Sequence, residues 1–120
     1  MRILGILLAG GLGSLCRYLI ATWGNSLGAR MPYGTLAVNL SGCFAIGLLG
    51  AMFLKRPDQE TLRIMLVTGF LGGFTTFSAY SWETMALFRQ GETEYALAYI
   101  TASNVGGLVA AWSGYRLGSY

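Results

Sequence analysis

A chain of 120 residues with 54% hydrophobic and only 11% charged side chains has room for one domain, and that balance excludes an ordinary soluble one. Mean hydropathy is +0.54, net charge is a modest +3, and histidine is absent, which removes the usual zinc ligand and the usual neutral-pH proton shuttle. No carboxylate pair, nucleophile–base set or metal-ligand cluster equips the chain as an enzyme, and nucleic acid is not an expected partner.

Four stretches approach or exceed the roughly 20 apolar residues a helix needs to cross a hydrocarbon core: about 3–23, 34–54, 62–88 and 95–117. The expected fold is a single all-α membrane domain with four transmembrane helices. The polar gaps, with Arg30 and Pro32 in the first, Lys55 to Glu60 in the second and Arg89 to Glu94 in the third, are too short to hold a catalytic domain.

Met1-Arg2 followed by apolar residues has the outline of a signal peptide, but the apolar pattern continues past Arg17 to Trp23, so the segment is expected to be retained. Gly10, Gly11 and Gly13 offer a small-residue face for close helix approach. Arg17 follows near the far end, either snorkelling to the interface or serving a function. In the second span Asn39 shares a helical face with Gly42 and Cys43; a lone intramembrane asparagine is interhelical glue or an anion donor through its amide. Cys16 and Cys43 lack metal-ligand spacing and read as small buried hydrophobes.

The third span is longer than a bilayer requires and holds the run GFLGGFTTFS, from Gly69 to Ser78. Gly69, Gly72 and Gly73 lower helix propensity there, and Thr75-Thr76 compete for backbone groups, so two half-helices flanking an unwound centre are expected. Unpaired backbone in lipid costs several kcal/mol per group, so such a break must be shielded by protein or line a polar path. Glu83 is the one acid inside a span, either an interfacial residue or part of a functional site. In the fourth span Tyr99 and Ser103 lie four apart on one stripe, a packing face or a row of hydroxyl donors.

Lysine and arginine are weakly partitioned. Arg2, Lys55, Arg56, Arg63 and Arg116 fall toward one face, and Arg17, Arg30 and Arg89 toward the other. So slight a bias would permit insertion in both orientations and an antiparallel dimer.

GGLGSLCRY in the first span, GTLAVNLSG in the second, GFLGGFTTFS with Glu83 in the third, and Tyr99 with Ser103 in the fourth together resemble the Fluc/CrcB family of fluoride channels. The resemblance covers nearly the whole chain, and the third-span signature is its most specific part. It implies an antiparallel, dual-topology homodimer in the bacterial inner membrane, with two fluoride pores and a structural sodium ion at the dimer centre. By motif position, the carbonyls of Gly72 and Thr75 would ligate sodium. Asn39, Phe77 and Tyr80 would line the pore, with Ser78, Tyr99 and Ser103 as further polar lining. Arg17 would supply positive potential near a vestibule, and Glu83 would orient hydroxyl donors. The chain departs from the family at Tyr80, where phenylalanine is usual, and at Ala79, where threonine is frequent. A small four-span multidrug or cation exporter is the main rival, although such a transporter needs an acid deep in its spans and the first span has none. A noncatalytic membrane subunit packing through its glycines is another; it leaves the broken third span without purpose.

Overall fold

The computed structural model describes residues 1–120, and every regular element in it is helical. Helix α1 spans Arg2–Asn25 and α2 spans Tyr33–Leu54; a 3-10 turn, Pro57–Gln59, leads into the short α3, Glu60–Arg63. The chain continues through a π-helical stretch, Ile64–Leu71, then α4, Gly72–Phe74, and, after two non-helical residues, α5, Phe77–Arg89. Helix α6 spans Thr93–Gly118.

Three stretches, Arg2–Asn25, Tyr33–Leu54 and Pro57–Arg89, are long and apolar enough to cross a membrane. The fourth expected span is met in length by the 26 residues of α6, about 39 Å of helix. It is not met in apolar content, because Thr101, Ser103, Asn104 and Ser113 interrupt it. Only 17 of the 120 residues are buried, and Leu4, Leu8, Leu12 and Leu15 of α1, like Leu108 and Trp112 of α6, are more than half exposed. Apolar surface on that scale is not tolerated in water, so the chain is an all-helical membrane protein whose outer solvent is lipid.

The helices run up and down. Arg2 pairs with Glu60 at one end, where Lys55 Nζ also donates to the Ser119 carbonyl, and Arg30 pairs with Glu92 at the other. Helix α5 closes on Gly91, whose φ of 76° only glycine adopts cheaply: Gly91 N–H donates to Phe88 and Glu92 N–H to Leu87, satisfying two carbonyls of the last turn.

Close approach is what the glycines provide. A Cβ on Gly13 would strike the Phe70 carbonyl, and one on Gly73 would strike the Gly10 carbonyl, so α1 lies directly against the third stretch. Gly10 meets Gly69 in ordinary contact, while Gly11, expected on the same face, faces open space. Helix α2 packs most extensively against α6, with Gly47 against the Ala111 carbonyl and Gly114 against the Phe44 carbonyl. Between these layers Val38, Leu71 and Phe74 form one small core, with Cys16 packed against it; Leu87, Ala96 and Tyr99 form another. Cys43 is half-buried beside Gly107.

The third stretch is broken, but over two residues rather than the ten of the glycine-rich run. Thr75 (φ −85°, ψ 155°) and Thr76 (φ −149°, ψ 117°) are extended, whereas Gly69 to Leu71 stay π-helical and Gly72 to Phe74 α-helical. Glycine lowers propensity without forbidding a helix when packing against α1 rewards it, so the break falls where threonine hydroxyls can replace the backbone ladder.

Candidate functional site

At the break the helical ladder is interrupted, and side chains supply several of the missing partners. Thr75 N–H keeps its helical bond to the Leu71 carbonyl at 3.0 Å, and Thr75 Oγ1 donates to the same oxygen at 3.0 Å. Thr76 N–H donates to Asn39 Oδ1 at 2.9 Å, and Asn39 Nδ2 donates back to the Thr76 carbonyl at 3.0 Å. One carboxamide from α2 thus serves both polar groups of Thr76, as a neighbouring strand would. The Thr76 side chain caps α5, its Oγ1 accepting from Ala79 N–H at 3.1 Å. Ala79 brings no side-chain hydroxyl to this turn, and its N–H is spent on the cap.

The carbonyls on the N-terminal side are treated differently. The Gly73 carbonyl accepts from Arg17 Nε at 3.0 Å and from Ser14 Oγ at 3.4 Å. Arg17 is thus drawn inward, about two helical turns from the end of α1, instead of snorkelling out. Gly72 loses its usual donors, because the N–H groups of Thr75 and Thr76 are engaged elsewhere. The Thr75 carbonyl accepts no hydrogen bond. Two hard oxygen acceptors are left free on one short segment.

Both residues line a cavity of about 400 Å³. Its wall also includes Asn39, Thr76, Phe77, Tyr80, Ser103 and Asn104, with Gly42, Cys43, Ile46, Val67 and Leu71 as the apolar remainder. The cavity therefore gathers Asn39, Gly72, Thr75, Phe77, Tyr80 and Ser103 of the expected site. Ser103 Oγ is buried with no hydrogen-bond partner, and Phe77 is 78% exposed in the single chain. Arg17 does not line the cavity; it stands behind the break, on Gly73. Ser78 is also outside the lining, its Oγ 3.2 Å from Thr76 Oγ1.

From the cavity a staircase of rings leads along α5 and α6. Phe77 and Tyr80 are 5.4 Å apart between centroids and tilted by 48°; Tyr80 and Tyr99 are 5.3 Å apart and tilted by 56°. Such tilts set ring edges, which carry partial positive charge, against neighbouring faces. Tyr99 is fully buried and its hydroxyl donates to Glu83 Oε2 at 2.7 Å, while Thr35 Oγ1 donates to Glu83 Oε1 at the same distance. Glu83 is thereby the tie between α2, α5 and α6. Replacing it with glutamine puts an NH2 group, which cannot accept, opposite one of the two hydroxyls. Thermal unfolding of Glu83→Gln in detergent is expected to show a loss of about 1–3 kcal/mol; an unchanged midpoint would mean that the tie contributes nothing.

Three partners in this arrangement escaped the sequence reading: Ser14, Thr35 and Asn104. They act across 24 to 59 residues of sequence, where spacing is silent. Thr76 was expected to compete for backbone groups, and its place directly before an amphipathic helix start makes it the cap of α5.

The broken helix also sorts charge. The N-terminus of the 13-residue α5 opens at the cavity with a partial positive charge, while the freed carbonyls preceding it are partial negative. One site can therefore receive a small anion and, a few residues away, a hard cation. A family model described as "CrcB-like protein, Camphor Resistance (CrcB)" matches residues 4–115. A protein of Solibacter usitatus named "Fluoride-specific ion channel FluC" is 48% identical over 116 residues, covering 95% of each chain. One of the same name from Thermus thermophilus is 48% identical over 118 residues, 98% of this chain and 93% of the relative. Another, from Chlorobium phaeobacteroides, is 44% identical over 111 residues, 91% and 87% of the two chains. With a family match running from the first helix almost to the end of the last, and a break furnished with the residues described above, the chain belongs to the CrcB family.

Proposed function

We propose that the chain is a fluoride channel of the bacterial inner membrane, passing the anion by electrodiffusion. The observation that carries this reading is the break at Thr75–Thr76, which opens a half-helix N-terminus onto the cavity that Phe77, Tyr80 and Ser103 also line. The names of the three relatives support the choice of ion. Helix-terminal N–H groups and ring edges attract an anion without the full charge of a cation, so the ion leaves as readily as it enters. Hydrogen fluoride entering from acidic surroundings dissociates at cytoplasmic pH and traps fluoride inside. An interior-negative potential then drives the anion out by about 2.3 kcal/mol per 100 mV.

The working unit on this reading is an antiparallel, dual-topology homodimer in which all four long helices of each chain span the bilayer and two pores are formed. The open cavity and the exposure of Phe77 support it, because a lone chain would leave half of each path facing lipid. The carbonyls of Gly72 and Thr75 fit a sodium ion: they are hard oxygens, two per chain, and two copies related by a two-fold axis would offer four. Bound there, the ion would neutralise the partial negative charge of the freed carbonyls and hold the two breaks together.

Purified protein in fluoride-loaded liposomes is expected to release the ion rapidly once a potassium conductance relieves the charge, as read by a fluoride electrode, while chloride-loaded vesicles retain theirs. Release no faster than from protein-free vesicles rejects the reading.

A further inference from the structure

Tyr80 lines the cavity, its hydroxyl has a proton still to place, and its neighbour Asn104 determines which way that proton points. Asn104 Nδ2 donates to the Ile100 carbonyl at 2.8 Å and to Tyr80 Oη at 3.1 Å. A backbone carbonyl only accepts, so the nitrogen of this carboxamide is fixed on that side and both its protons are spent. Tyr80 Oη is therefore an acceptor toward Asn104. Its own proton, which conjugation keeps near the ring plane, is turned away from that partner, and no acceptor in the chain takes it. Both residues line the cavity, as does Ser103, whose buried Oγ is unpartnered.

We propose that Tyr80 Oη–H, polarised by Asn104, is a direct hydrogen-bond donor to the permeating anion, with Asn104 acting as its positioning residue. This rests on the fluoride reading and deepens it. A hydroxyl proton is a stronger donor than a ring C–H, and fluoride, the smallest halide, is the strongest acceptor among them, so the donor adds preference as well as affinity. An Asn104 that accepted instead would have pulled the proton out of the path; the bond to Ile100 prevents that.

The test is the dependence of initial efflux rate on fluoride concentration in liposomes. Tyr80→Phe keeps the ring and removes only the donor; it is expected to raise the half-saturating concentration about tenfold, the scale of one hydrogen bond to a charged group. Asn104→Leu is expected to raise it about threefold, and the double variant to be no weaker than Tyr80→Phe alone, because one residue acts through the other. A wild type that conducts beside a Tyr80→Phe with an unchanged half-saturation overturns the inference and leaves the channel reading standing. An Asn104→Leu effect that persists undiminished on the Tyr80→Phe background overturns the positioning role. A wild type that does not conduct overturns both together.

Discussion

Phe77→Ile is expected to lower fluoride efflux at least about 100-fold, equivalent to roughly 2.7 kcal/mol at 1.36 kcal/mol per tenfold, while the protein still elutes as the same species from size exclusion. The ring stands at the first turn of α5, on the cavity and 5.4 Å from Tyr80. Its edge offers a desolvated anion a partial positive charge, and a branched aliphatic side chain offers nothing but an apolar wall. Because Phe77 is 78% exposed in the single chain, little of the protomer's own packing depends on it. Liposome flux at wild-type level would remove the ring from the path.

Asn39→Leu has the largest expected effect on folding. The substitution conserves volume, yet it orphans Thr76 N–H and the Thr76 carbonyl together, since the Asn39 carboxamide serves both. Each unsatisfied buried group costs about 1–3 kcal/mol, so a total of roughly 2–6 kcal/mol is expected from unfolding in detergent. Asn39→Asp keeps an acceptor for Thr76 N–H and loses the donor to the carbonyl, so it should show a large part of that loss. An Asn39→Leu protein as stable as the wild type would mean that the break finds its partners elsewhere.

These two residues also show how far the sequence could be read. The length and apolarity of the first three spans follow from composition, because nothing but lipid tolerates them, and the glycine and threonine run marked the third span as one that would loosen. The position and width of the loosening were not legible. Gly69 to Phe74 stay helical because α1 approaches within glycine distance of them, a tertiary effect that propensity does not contain. The π-helical winding of Ile64–Leu71 carried no signal in the residues themselves.

The candidate site was legible as a set of residues and not as a circuit. Asn39 was read as glue or anion donor, and it is the stand-in for a missing strand at Thr76. Glu83 stood between interfacial residue and functional carboxylate, and it is held inside by Thr35 and Tyr99. Arg17 stood between a snorkelling residue and a functional one, and it is bound to the carbonyl at Gly73, where a cation counters the negative end of the half-helix. In each case the residue type announced that a polar partner was required; the partner lay 16 to 56 residues away, on another part of the fold. The deep acid that a cation exporter needs has no counterpart here other than Glu83, and both its oxygens are already engaged by hydroxyls.

A membrane-crossing stretch is interrupted at Thr75–Thr76; Asn39 and Arg17 meet part of what it frees, and the carbonyls of Gly72 and Thr75 are left for the proposed sodium ion. The most direct measurement is a structure of the purified protein determined in lipid with sodium present and again with sodium replaced by a bulky organic cation. Two non-helical residues at 75–76, with density joining the Thr75 carbonyls of two copies that vanishes on replacement, is the predicted result. A continuous helix from 72 to 80, or a dry apolar contact where that density should lie, would contradict it.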